Sequence, residues 1–154
     1  MQASRRTVLK TAGSSGVLAA AMAAGLVRPA AAAQVTKATF EAKTTADALK
    51  TMGVTNAADS KDIQIKAPDI AENGAVVPIE VTSSIPGTES ISVFIEKNPF
   101  PFAGSFDVSK GALPFVALRT KIGESSNVRV LVAAGGKHYT AVKEVKVTIG
   151  GCGG

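Results

Sequence analysis

The residue best placed to do chemistry is Cys152, the only cysteine among 154 residues, set in the closing run Gly150-Gly151-Cys152-Gly153-Gly154. A thiol joins other sulfur atoms covalently, and flanking glycines leave it unhindered. Structural cysteines are usually buried, but this one follows the last apolar alternation, outside any element. One cysteine excludes an intrachain disulfide framework, a four-thiolate zinc site and a Cys-ligated iron–sulfur cluster. Without Cβ atoms the glycines make a slender, flexible chain, and the three residues from Ile149 to Cys152 span roughly 10 Å when extended. The expectation is an arm that swings a thiol into another protein's active site. No neighbour in sequence activates that thiol, and the terminal carboxylate opposes its ionisation. The receiving protein must activate it.

Other chemistry is sparse. The chain has one histidine, His138, and no second thiol. It has no C-x-x-C-H haem site and no flavin fingerprint. His138 stands beside Tyr139 on an expected hairpin and receives no role, while Asp69, Glu72 and Asn73 read as turn residues. No metal-ligand cluster is available to activate water, so no metal or other cofactor is expected. The chain bears a substrate rather than transforming one; it is not read as an enzyme.

The start of the chain is an address. Ser4-Arg5-Arg6-Thr7-Val8-Leu9-Lys10 resembles the twin-arginine export motif, with Val8 where a Phe is usual. An uncharged Ala/Gly-rich run follows from Thr11 to Val27, then Arg28-Pro29 and Ala30-Ala31-Ala32-Ala33, the small residues of a cleavage site. The run is shorter than the roughly 20 residues of a membrane-spanning helix, so no membrane anchor is expected. The formal charge is +5, from 17 basic and 12 acidic residues. Cleavage after Ala33 leaves 121 residues with 13 basic and 12 acidic side chains. That near-neutral remainder has no basic stripe, which removes the nucleic-acid reading. The expected divisions are a signal peptide over 1–33, a helical segment over 34–60, a β domain over 61–149 and the arm over 150–154.

The elements that must position the arm are legible as periodicities. From Gln34 to Gly53, Ala42, Ala46, Leu49 and Met52 share one helical face, in two short helices or one broken one. Thr44 and Asp47 fit a capping box and Gly53 a helix stop. Thr55 to Ser60 reads as a polar linker. Beyond Lys61, apolar and polar residues alternate. The expected strands are Ile63–Lys66, Val77–Thr82, Ile91–Glu96, Phe115–Ile122, Asn127–Ala133, Lys137–Val142 and Glu144–Ile149. Gly135-Gly136 is a two-residue hairpin signal. The fold class is therefore mainly β, an immunoglobulin-like antiparallel sandwich with an N-terminal helical segment; its topology stays open. In Asn98–Phe106, Pro99 and Pro101 alternate with Phe100 and Phe102, which suits an edge strand or an extended loop. Burial of these rings and exposure of some as a protein-binding patch weigh evenly.

The ending Val145-Lys146-Val147-Thr148-Ile149-Gly150-Gly151-Cys152-Gly153-Gly154 resembles the C-terminus of the SoxY family, sulfur carriers of the periplasmic thiosulfate-oxidising (Sox) system. Ala67-Pro68-Asp69-Ile70-Ala71-Glu72-Asn73-Gly74-Ala75-Val76-Val77-Pro78 and Glu96-Lys97-Asn98-Pro99 resemble it too. The resemblance implies that Cys152 holds thiosulfate-derived sulfur covalently, as a persulfide or S-thiosulfonate. It implies a heterodimer with SoxZ, a small β-sandwich protein exported with its folded partner. It also implies transient contacts with the haem protein SoxXA, the metal-dependent hydrolase SoxB and the sulfane-oxidising SoxCD. Two other readings compete. A ubiquitin-like carrier would use a thiocarboxylate at Gly154, which requires ATP and a central helix. A plain immunoglobulin-like binding module would leave Cys152 idle.

Overall fold

A computed structural model describes residues 35–108 and 111–148. Among the described residues two short helices come first, α1 (Lys37–Glu41) and α2 (Thr45–Thr51), broken where Ala42 leaves helical geometry. Thr44 caps α2: its hydroxyl accepts from the Asp47 N–H at 3.1 Å and donates to the Asp47 carboxylate at 2.8 Å. Gly53 ends the helix as expected, donating to the Lys50 carbonyl while Val54 donates to that of Leu49. The break alters the buried face, because no single stripe runs through it. Ala42, Ala48 and Met52 are buried, while Ala46 is exposed.

Nine strands follow: β1 (Ala58–Asp59), β2 (Ile63–Lys66), β3 (Ile70–Ala71), β4 (Val77–Ser83), β5 (Thr88–Ile95), β6 (Phe102–Asp107), β7 (Phe115–Thr120), β8 (Ser126–Ala134) and β9 (Lys137–Val147). They form a three-stranded sheet, β2-β4-β7, and a six-stranded sheet, β1-β9-β8-β5-β6, with β3 also on β9. The sheets face one another across one core. Ile63, Val77, Ile79, Val81 and Val116 meet Ile91, Val93, Val128, Val130, Val132 and Val145. Each set occupies alternate positions of its strand, as period-2 pleating requires. The result is the expected immunoglobulin-like sandwich.

β5 departs from simple alternation, with Ser90 through Ile95 all buried. The helices cover its second face, where Phe94, Leu131 and Phe102 pack with Ala42, Ala48, Met52 and Val54. β5 therefore lies between two apolar layers, and both faces are closed to water.

Two expectations about the strands are corrected, and a third, open between an edge strand and an extended loop, is decided. The expected pair Lys137–Val142 and Glu144–Ile149 is one strand of 11 residues ending at Val147, paired with β8 from Lys137 to Val145. Nothing between its halves breaks a ladder, since Lys143 continues the alternation. The polar linker holds β1, whose Ala58 and Asp59 run parallel to Tyr139 and Thr140. The Pro/Phe segment ends in a true edge strand, β6, with a register shift opposite Val93/Phe94. The Gly135-Gly136 turn is as expected: both φ angles are positive, at 56° and 72°, as a tight two-residue hairpin needs.

Candidate functional site

Residues 150–154 follow β9 in the sequence, so the site that the described residues can show is the end of that strand. β8 pairs with β9 as far as Ser126 opposite Val145. Past that point side chains and a short strand take over. The Ser125 hydroxyl accepts from the Val147 N–H at 2.9 Å and lies 3.5 Å from the Val147 carbonyl, to which it donates. On the opposite edge, β3 runs parallel to β9, with Ile70 beside Lys146 and Ala71 beside Val147. There Lys146 donates to the Asp69 carbonyl at 2.9 Å and Thr148 to that of Ala71 at 3.2 Å.

Gly74 completes the seat. Its carbonyl accepts from Ile122 N–H at 2.8 Å. A Cβ at this position would collide with the Ile122 carbonyl oxygen and come within 2.9 Å of Val147 Cγ1. Only glycine lets this loop press against the end of the strand. Asn73 shapes the same turn, its Oδ1 accepting from the Ala75 N–H at 2.9 Å.

A second layer supports the first. Asn98 Nδ2 donates to the Lys121 carbonyl at 2.7 Å, and its Oδ1 accepts from Gly123 N–H at 3.1 Å. That amide therefore fixes the loop that carries Ser125. Beside it, Lys97 N–H donates to Ser126 Oγ at 3.0 Å. Glu96 receives Arg129 Nε at 2.6 Å and Asn127 Nδ2 at 3.0 Å. The two internal segments that carry the family resemblance, 67–78 and 96–99, thus meet at one end of the sandwich, around the root of the tail.

The expected turn residues divide by role. Asn73 makes a turn, whereas Asp69 pairs with Lys143 Nζ at 2.9 Å. That hydrogen bond, and then the ammonium's charge, hold the Asp69 carboxyl below the usual carboxylate range. His138 is half-buried on β9 opposite Ala133. Among the described residues no three His, Cys, Asp or Glu side chains gather as a metal site.

The phenylalanine cluster is split. Phe102 is buried, with its ring 4.8 Å from Phe40 and 5.4 Å from Phe94. Phe100 is 48% exposed, with Lys43 Nζ 3.6 Å above its ring. Of the two alternatives, Phe102 takes burial and Phe100 exposure.

Cys152, its neighbours Gly150, Gly151, Gly153 and Gly154, and the export pair Arg5 and Arg6 lie outside the described residues. Sequence reasoning missed Ser125, Asn98 and Gly74 as the supports of the root. Gly74 and Asn98 stood inside the family-like segments, which was a usable signal. Nothing in the sequence marks Ser125.

The family model for the sulfur oxidation protein SoxY matches residues 48–152. The solved structure of the sulfur carrier protein SoxY from Chlorobium limicola f thiosulfatophilum is 48% identical, with a TM-score of 0.62. That match covers 68% of this chain and 96% of the other. An engineered protein and a chain from a structure of the bacterial superantigen toxic shock syndrome toxin-1 match at 14% identity and TM-scores of 0.41, over 56% of this chain. They cover 20% and 99% of their own chains, and neither carries an argument. No curated protein sequence matches. The family match spans most of the chain, and the chain belongs to the SoxY family of sulfur carrier proteins, which are not catalysts.

Proposed function

We propose that this protein holds thiosulfate-derived sulfur covalently on Cys152 and presents it to the enzymes of sulfur oxidation in the periplasm. One observation carries the reading. The only thiol of a chain in this family sits in a Gly-Gly-Cys-Gly-Gly ending, directly after a strand whose end is held on both sides. Loading joins the thiol to thiosulfate: R–SH and S₂O₃²⁻ give R–S–S–SO₃⁻, one proton and two electrons. The electrons go to an external haem oxidant of the SoxXA type. Water then attacks the sulfonate sulfur and displaces the persulfide: R–S–S–SO₃⁻ and H₂O give R–S–S⁻, SO₄²⁻ and two protons. A metal-dependent hydrolase of the SoxB type would catalyse that step, and SoxCD would oxidise the remaining sulfane sulfur. This chain supplies the tether and the leaving sulfur, with SoxZ as its stable partner.

Residues 1–33 are proposed as a twin-arginine leader read through Arg5 and Arg6, which delivers the folded carrier across the membrane. No helix among the described residues is long and apolar enough to cross a membrane.

Intact mass of the exported protein, before and after reductant, tests these points together. The expected result is a chain beginning at Gln34 with a reductant-labile sulfur adduct on Cys152, absent from Cys152→Ser. A thiocarboxylate on Gly154 would instead support the ubiquitin-like chemistry. Normal thiosulfate oxidation by cells carrying only Cys152→Ser would leave the plain binding module.

A further inference from the structure

We infer that Ser125 is a positioning residue that sets the working length of the carrier arm by fixing its root at Val147. The inference rests on the carrier reading above and adds to it a determinant of reach.

In a strand, the N–H and C=O of one residue point to the same edge. Those of Val147 point toward β8, whose backbone has already turned away beyond Ser126. The Ser125 hydroxyl replaces the missing strand, accepting from one group and donating to the other. The next residue, Thr148, points the other way and donates to Ala71. With the Val147 side chain against Gly74, the chain is held on three sides at one residue. The carrier segment is counted from there.

That count matters because the segment is short. Cys152 lies four residue steps beyond Thr148, a reach of roughly 14 Å at full extension. Releasing Val147 and Thr148 would add roughly 7 Å, half as much again. A tether longer than its span lowers the effective concentration of the thiol at a fixed target. A tether shorter than its span cannot deliver the thiol at all. Asn98 in turn fixes the loop of Ser125, so the root is held by a supported side chain.

The test uses the mature full-length protein loaded with tetrathionate. The Cys152 thiolate displaces thiosulfate: R–S⁻ and S₄O₆²⁻ give R–S–S–SO₃⁻ and S₂O₃²⁻, with no further oxidant. Sulfate release by the SoxB-type hydrolase then reports delivery. Ser125→Ala is expected to load normally, because tetrathionate diffuses freely. Its Val147 amide should exchange about five- to tenfold faster, the effect of one lost hydrogen bond, and the Thr148 amide, bonded to Ala71, by less. Its kcat/KM for sulfate release should fall several-fold, and Ser125→Thr, which keeps the hydroxyl, should restore it. Deleting Gly151 should reduce release in the parent, and adding Ser125→Ala should recover part of that loss. A change in general stability alone would not produce such compensation. Normal loading with unchanged exchange, unchanged turnover or no compensation overturns the inference alone. Failure of the parent to load at Cys152 overturns the carrier reading and the inference with it.

Discussion

The six-stranded sheet finishes its two edges in opposite ways. At the β9 edge, two short stretches from earlier in the chain, β1 and β3, add parallel main-chain pairs near either end of the strand. At the β6 edge no further strand pairs among the described residues, and aromatic side chains crowd instead. Phe102 is buried there against Phe94 and Phe40, while Phe100 and Phe106 remain partly exposed. Order at β9 therefore comes from backbone hydrogen bonds and close approach. Order at β6 comes from apolar area. The edge from which the proposed carrier arm would depart is the one held by directional bonds.

That contrast predicts which substitutions each edge will feel. The largest effect belongs to Phe102→Ala, which removes the centre of the aromatic stack and is expected to cost about 3–5 kcal/mol. Phe100→Ala, two residues away, loses an exposed ring and one cation–π contact and should cost no more than about 1 kcal/mol. Urea unfolding midpoints of the two variants measure the difference directly. Equal losses would mean that burial does not order the β6 edge.

At the β9 edge the sensitive position is the glycine against which the strand end rests. Gly74→Ala places a methyl group against the Ile122 carbonyl and Val147 Cγ1, and backbone must move to admit it. The expected destabilisation is about 1–3 kcal/mol, as for other overpacked sites. Amide exchange should accelerate at Ile122, Val147 and Thr148 but not at Phe94 or Phe102. A loss of protection spread evenly over both edges would erase the distinction between them.

The same contrast explains what was legible in the sequence. Long alternating runs such as Val77–Ser83 carry their own period, and the structure keeps it without exception. The Gly135-Gly136 turn and the Thr44 cap are local devices, readable because neighbouring residues determine them. The strands β1 and β3 are two residues each and exist only because β9 offers an edge. No local pattern could announce them. Ala46 shares a helical face with Ala42, Leu49 and Met52 only if the period runs unbroken through Ala42, where the chain leaves helical geometry, and it is exposed. At the candidate site, the thiol and its glycines were visible as composition. Ser125 was invisible, because a serine that substitutes for a strand looks like any serine in a turn.

The smallest expected effect concerns the exposed tie between Asp69 and Lys143, which fastens the segment leading into β3 to β9. The Asp69 carboxyl titrates below its ordinary range, first through the hydrogen bond from Lys143 and then through its charge. A carboxyl whose folded value lies below its unfolded one contributes stability that is fully present above the unfolded value of about 4. The contribution is lost as pH falls through the lower, folded value. Solvent screens a pair this exposed, so its effect at neutral pH should be small. Lys143→Met should raise the Asp69 titration midpoint, followed by NMR of the side-chain carboxyl, back toward the ordinary range. The difference in Tm between parent and variant should be slight at pH 7 and should close as pH falls below the lowered folded value of Asp69, where its carboxyl is protonated in parent and variant alike. A gap that persisted in acid would assign the effect of Lys143 to the packing of its methylene stem along β9 rather than to its charge.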